Sequence, residues 1–171
     1  PQLKNIKILK NLNEDKIEII KKKDFIFLIS TMIIDETDNA EYFLYKYNVS
    51  KEAKKRIIFL KDFLTKSIDK NIFSKDNLEK LFYYNGKSYL IDLIDFYLLK
   101  FNKNNKKIIN LKSYFEKKEK PLFPIKAKNI MEKYNIKEGR ELGEKLENLE
   151  KIWVENSFKI SDSEIEKIFS N

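Results

Sequence analysis

SYLIDLIDFYLLKF, residues 88–101, is apolar on almost every side of the helix that it predicts. A helix at a protein surface keeps a polar face towards water, so one that is apolar all round has to lie inside a bundle. Its two acidic residues, Asp92 and Asp95, stand three positions apart. We interpret them as salt-bridged or at a solvated edge rather than as a metal site. The stretch therefore predicts the central helix of an all-α fold.

The segments around this stretch carry the signals with which helices begin and end. Ser50 and Ser74 precede runs in which apolar residues recur every three or four positions, and Ser161 with Glu164 spells a capping box. Gly86 follows the run KDNLEKLFYYN, where a left-handed residue would end a helix. No hairpin signal of alternating strands occurs. The sequence therefore predicts about eight helices in a compact bundle.

The C-terminal third of the chain contains most of the backbone-breaking residues. Pro121 and Pro124 impose an extended approach to a short helix, KAKNIMEKY, and Gly139 precedes a second helix. An apolar stripe along this second helix is formed by Leu142, Leu146, Leu149 and Trp153. We therefore expect a helical body domain at residues 1–120 and a C-terminal helical hairpin domain at residues 121–171.

The composition limits the chemistry that the chain can perform. It has no cysteine and no histidine, which excludes disulfides, thiol nucleophiles, imidazole acid–base catalysis and zinc sites of the usual ligand types. The lack of cysteine suits a reducing compartment, and we expect a cytoplasmic location. The net charge of +8 is typical of proteins that bind nucleic acid or another anionic surface. An AT-biased genome would produce the same lysine excess.

The most apolar run, FIFLISTMII at residues 25–34, follows three lysines and superficially looks like the core of a signal peptide. With ten residues it is too short to span a bilayer, and it lacks a cleavage site of small residues. It predicts a buried helix, and we expect no membrane partner.

Gly143 lies one turn into the second helix of the predicted hairpin, where it costs about 1 kcal/mol relative to alanine. Such a cost indicates that the first hairpin helix or a ligand approaches the backbone closely. The free N–H groups after Gly139, flanked by Lys137 and Arg140, would form a phosphate site. Glu138 and Glu141 would oppose an anion there, so a simple turn at Gly139 and helix packing at Gly143 remain the alternatives.

Residues 121–158 have the sequence PLFPIKAKNIMEKYNIKEGRELGEKLENLEKIWVENSF. This stretch resembles the tail of bacterial CCA-adding enzymes and poly(A) polymerases, the class II tRNA nucleotidyltransferases. Ala127 and Asn135 stand where that family usually has glycine, and Asn129 where it has aspartate. The run YNVSKEAKKRIIFLKDFL is more faintly similar to a helix in the body region of the same family. Together, the parts of the chain that resemble the family cover residues 47–158. The positions in step with the family pattern are Pro124, Ile125, Ile130, Met131, Ile136, Gly139, Leu142, Gly143, Trp153 and Phe158.

The resemblance implies that the chain is the helical body and tail of such an enzyme, which hold the acceptor stem and the T-arm of tRNA. Its partners would be tRNA or another structured RNA, and a catalytic head domain in the same or a separate chain. The residues that we expect to contact RNA are Lys126, Lys128, Asn129, Lys137, Gly139, Arg140 and Gly143.

The chemistry of the family depends on a strand-borne D-x-D motif that holds two metal ions, and no such motif occurs here. We therefore expect no catalytic residue, no metal site and no cofactor in this chain, with Mg²⁺ and nucleoside triphosphates bound only by the head. Glu52 and Arg56 are spaced like part of the family's nucleotide-templating motif, and we interpret them as an i,i+4 ion pair. Whether the whole enzyme would add CCA, part of it or poly(A) stays open.

A different class of function remains as the alternative. The chain could be a stand-alone helical interaction module whose lysines reflect only the composition of the genome. Lysines clustered on one face would favour RNA binding, and evenly spread lysines would favour the module.

Overall fold

The computed structural model describes residues 12–66, 72–101 and 106–169. Within these ranges the chain forms ten helices and no strand, which confirms the all-α class. The count exceeds the expected eight because two helices near the N-terminus, Glu14–Lys21 and Asn39–Lys46, have only eight residues, too short for a clear periodic pattern. The helices are α1 Glu14–Lys21, α2 Phe25–Ile33, α3 Asn39–Lys46, α4 Lys51–Lys66, α5 Lys75–Asn85, α6 Lys87–Phe101, α7 Lys106–Lys117, α8 Ala127–Tyr134, α9 Arg140–Glu155 and α10 Asp162–Phe169.

The predicted central helix is α6, which packs against α1, α2, α4, α5 and α7. One side of α6 enters an apolar cluster through Leu93 and Phe96, together with Phe27 of α2. The opposite side enters a second cluster through Leu90 and Ile94. The body of the protein is therefore built around α6. Among the described residues, no helix has both the length and the apolar character needed to cross a bilayer.

The predicted helix starts are confirmed. Ser50 and Ser74 each accept a hydrogen bond at their hydroxyl from the backbone N–H three residues later, at 3.2 and 3.3 Å. In the capping box, the Ser161 N–H donates to the Glu164 carboxylate at 2.8 Å, and the Glu164 N–H donates to the Ser161 hydroxyl at 3.3 Å. These bonds satisfy N–H groups that a helix leaves without an internal partner.

The two carboxylates of α6 lie in a buried network of ion pairs. Asp92 and Asp95 are 5% and 1% exposed. Lys23, between α1 and α2, reaches both carboxylates, at 2.8 and 2.7 Å. Arg56 of α4 binds Asp92 at 2.5 Å, and the ammonium of Lys112 in α7 lies 2.7 Å from Asp95. The ion-paired interpretation of the two aspartates is therefore confirmed, and the network connects α6 to three other parts of the body.

Arg56 does not pair with Glu52, so the expected i,i+4 ion pair is wrong. Its guanidinium bridges Asp24 and Asp92, because a buried carboxylate gains more from a cation than an exposed glutamate does. Burial alone lowers the pKa of Lys23, but the carboxylates of Asp95 and Asp92 outweigh it and raise that pKa above its ordinary value. The charged form of Lys23 is therefore the one that the fold stabilises.

The C-terminal helices α8, α9 and α10 share a core cluster of their own, to which Ile130, Leu142, Leu149 and Phe169 contribute. The predicted hairpin therefore has a third helix, α10. A smaller cluster of Tyr83, Trp153 and Val154 joins α9 to α5 of the body. The boundary predicted at residues 120 and 121 falls in the helix-free connector 118–126, and the division into two domains stays a prediction.

Loss of one charge from the network should destabilise the fold strongly. We expect Asp95→Asn to lower the free energy of unfolding by about 3 to 5 kcal/mol, because it leaves buried cations without full compensation. The exposed control, Glu119→Gln, should change it by less than about 0.5 kcal/mol. Chemical denaturation of both variants measures the difference. An Asp95→Asn protein as stable as the control would show that the network contributes nothing.

Gly86 ends α5 with φ of 85° and ψ of 173°, and its N–H donates to the Phe82 carbonyl at 2.9 Å. Only glycine adopts this backbone region readily. We therefore expect Gly86→Ala to cost about 1 to 3 kcal/mol of stability, although no atom lies within 4 Å of the added methyl. Gly143→Ala, a helical position with equally open surroundings, should instead stabilise by about 0.5 to 1 kcal/mol. Equal melting temperatures for the two variants would contradict this assignment of backbone strain.

Candidate nucleic-acid interface

The connection between α8 and α9 presents the start of α9 to solvent. Asn135 ends α8 in the left-handed conformation, with φ of 52° and ψ of 39°. Asparagine is one of the few residues besides glycine that visits this conformation routinely, so it can replace the glycine of the resembled family. Gly139 is the N-cap of α9 and has φ of 167°, an extended conformation that any residue adopts. The turn itself therefore requires Asn135 rather than Gly139.

Neither α8 nor α9 has a side chain that caps its N-terminus. The first hydrogen bond of α9 joins the Gly143 N–H to the Gly139 carbonyl at 3.2 Å. The N–H groups of residues 140–142 bond no acceptor among the described residues. These donors and the positive end of the helix dipole can receive an anion such as a phosphate.

All seven residues expected to contact RNA are exposed. They fall into two groups, with Lys126, Lys128 and Asn129 at the start of α8, and with Lys137, Gly139, Arg140 and Gly143 at the start of α9. Backbone hydrogen bonds connect residues within each group. Among the described residues, no hydrogen bond or ion pair connects one group to the other. The structure therefore exposes both groups without joining them into one site.

Two of the basic residues are engaged in exposed ion pairs within their own helices. The Arg140 side chain, 92% exposed, binds Glu144 at 2.7 Å, and Lys128 lies 3.9 Å from Glu132. Exposed i,i+4 pairs of this kind contribute only a few tenths of a kcal/mol. A phosphate could therefore displace the glutamate from Arg140 at little cost.

Gly143 does not pack against another helix. A Cβ atom built on it would meet nothing within 4 Å. The apolar side of α9 faces the core through Leu142 and Leu149, and Gly143 lies on the exposed side. The helix-packing explanation for this glycine is therefore wrong, and approach by a ligand stays a prediction.

The charge of the chain is distributed unevenly. Residues 121–171 contain 9 basic and 10 acidic residues, whereas residues 1–120 contain 26 basic and 17 acidic residues. The tail thus has a net charge of −1 and the remainder of the chain a net charge of +9. By net charge the tail therefore offers a polyanion no attraction, and the positive excess lies elsewhere in the chain.

Trp153 and Phe158, the last two positions of the resemblance, pack against each other. Trp153 is 4% exposed, and its ring centroid lies 5.0 Å from that of Phe158 and 5.5 Å from that of Tyr83. Ser157 and Phe158 both have positive φ, which sequence reasoning missed because no glycine marks the end of α9. Trp153 belongs to the core and offers no ring to a base.

Tyr83 strengthens the same contact between α5 and α9. Its hydroxyl donates a hydrogen bond to the Glu150 carboxylate. Burial, together with this bond, raises the pKa of Tyr83 to about 12. The phenol therefore stays protonated at neutral pH and continues to donate across the junction.

Comparisons with protein-family models, with curated proteins and with solved structures found no match for this chain. The fold and the exposed helix starts define an all-α protein with a candidate anion-binding surface. The resemblance to the tRNA nucleotidyltransferases therefore stays a prediction from the sequence.

The burial of Trp153 leads to a stability prediction. Truncation by Trp153→Ala should lower the free energy of unfolding by about 3 to 5 kcal/mol, as deletion of a large core side chain does. Leu122→Ala is the control, since Leu122 is 85% exposed and should change stability by less than about 0.5 kcal/mol. Denaturant titration compares the two. An unchanged stability with a loss of RNA affinity would instead identify Trp153 as a stacking residue.

Proposed function

We propose that this chain is the RNA-binding body and tail of a tRNA nucleotidyltransferase, and that it holds structured RNA such as tRNA at the starts of α8 and α9. The observation that carries the proposal is the open space around Gly143. Glycine at this position costs helix stability and touches no other helix. Close approach of the backbone of an RNA strand would explain why the chain has a glycine there. The lack of cysteine fits a cytoplasmic site of action.

The arrangement suits recognition of phosphates rather than of bases. The unpaired N–H groups of residues 140–142 and the guanidinium of Arg140 would bind phosphate oxygens, and Lys137 would add a further positive charge. Contacts of this kind position an A-form stem without reading its sequence. Nucleotidyl transfer, and the choice between CCA and poly(A) addition, would belong to the head domain.

The second candidate function is that of a helical interaction module without a nucleic-acid role. It is favoured by the net charge of −1 on residues 121–171 and by ion pairs along α9, such as Glu141 with Lys145 at 3.2 Å. A module of this kind would bind RNA at most non-specifically, with a salt slope that Arg140→Ala leaves unchanged.

Binding of a tRNA transcript as a function of salt separates the two candidates. For the RNA-binding chain, the logarithm of the affinity should fall linearly with the logarithm of the salt concentration. Arg140→Ala should reduce the slope by roughly 0.7 to 0.9, the value for one phosphate, and weaken all tRNAs alike. Gly143→Ala should reduce affinity while stability stays equal or rises.

Lys159→Ala provides the matched control, because Lys159 is exposed in the same tail but lies after α9. Its slope should equal that of the unaltered protein. Normal tRNA binding by both Arg140→Ala and Gly143→Ala would exclude the start of α9 as the contact, and absence of binding at low salt would favour the interaction module.

A further inference from the structure

A second basic surface lies between α5 and α7, outside the residues that resemble the enzyme tail. It is a shallow depression of about 510 Å³, lined by Lys75, Lys107, Asn110, Leu111 and Tyr114. The five lining residues include two lysines and no acidic residue. Glu79, which accepts a hydrogen bond from the Tyr114 hydroxyl at 3.2 Å, is paired with Lys118. A depression of this composition is complementary to a polyanion.

Tyr114 gives the depression an aromatic wall. The residue is 38% exposed, and the ammonium groups of Lys75 and Lys118 lie 4.6 and 5.1 Å from its ring centroid. Lys118 is neutralised by Glu79 at 2.6 Å. Lys75 is itself exposed, and its charge is directed at the ring. A tyrosine ring and a lysine in contact with it are the side-chain types that bind a nucleotide base and its phosphate, and Lys75 would leave the ring face when it binds a phosphate.

The two lysines stand where the backbone also contributes positive charge. Lys75 is the first residue of α5, and Lys107 is the second residue of α7. The first turn of α7 has no acidic residue, whereas that of α5 contains Asp76. Helix N-termini are positive ends of the dipole and usually attract acidic side chains. Lysines at these positions add their positive charge to that of the helix end. Both lysines belong to residues 1–120, the part of the chain with the net charge of +9.

We propose that the depression between α5 and α7 is a second contact for RNA, in which Lys75 and Lys107 bind the phosphate backbone. Tyr114 stacks on an adjacent base, and the Asn110 amide bonds the ribose or the base edge. The inference rests on the proposed RNA-binding function. The second contact would give the RNA phosphates two lysines of the body, whereas the tail, residues 121–171, has more acidic than basic residues.

The double variant Lys75→Ala/Lys107→Ala tests the proposal, with the same tRNA transcript and salt titration. Loss of two phosphate contacts should lower the log–log slope by roughly 1.4 to 1.8. Lys75→Arg/Lys107→Arg, which keeps both charges, should restore the slope. The control Lys21→Ala/Lys54→Ala removes the same charge from exposed positions of α1 and α4 and should keep the original slope. Melting temperatures of all variants verify that the fold is intact.

The outcomes distinguish this proposal from the function on which it rests. If the unaltered chain binds no tRNA at low salt, the proposed function fails and this inference fails with it. If Arg140→Ala loses a contact while Lys75→Ala/Lys107→Ala behaves like its control, only the second contact is overturned. An equal loss in the control variant would also overturn it, because the effect would then come from overall charge.

Discussion

The burial of two carboxylates in the central helix is the constraint on which the rest of the body depends. Asp92 and Asp95 are buried in a helix whose other buried residues are all apolar, and an unpaired charge there would cost several kcal/mol. The chain compensates them with Lys23, Arg56 and Lys112, which come from three separate segments. Lys23 reaches both carboxylates, Arg56 reaches Asp92 and Lys112 reaches Asp95, so the network fixes how these segments pack around α6.

This body supports the surfaces that we propose for RNA. The cluster of Tyr83, Trp153 and Val154 attaches α9 to α5, so the tail is tied to the helix that also forms one wall of the basic depression. The starts of α8 and α9 offer backbone N–H groups, whereas the depression offers lysine side chains and a tyrosine ring. The two surfaces would therefore hold an RNA backbone by different means, and the second compensates for the negative charge of the tail.

Local features of the fold could be predicted from the sequence, whereas long-range partners could not. The caps at Ser50, Ser74 and Ser161 and the end of α5 at Gly86 depend on residues within one turn, and the structure has them as predicted. The partners of Arg56 depend on Asp24 and Asp92, which are 32 and 36 positions away, and no sequence spacing indicates them. The Gly143 environment likewise depends on how α9 faces its neighbours. For the candidate site, the sequence indicated residue types and exposure, but not that they form two separate groups.

Hydrogen exchange at the start of α9 tests the central claim most directly, because the N–H groups of residues 140–142 have no acceptor among the described residues. These amides should exchange rapidly in the free protein. When tRNA is bound at low salt, phosphate oxygens should slow their exchange, and high salt should restore it. If the amides exchange at the same rate in the free protein and in the saturated complex, RNA is not held at this helix start and the account is contradicted.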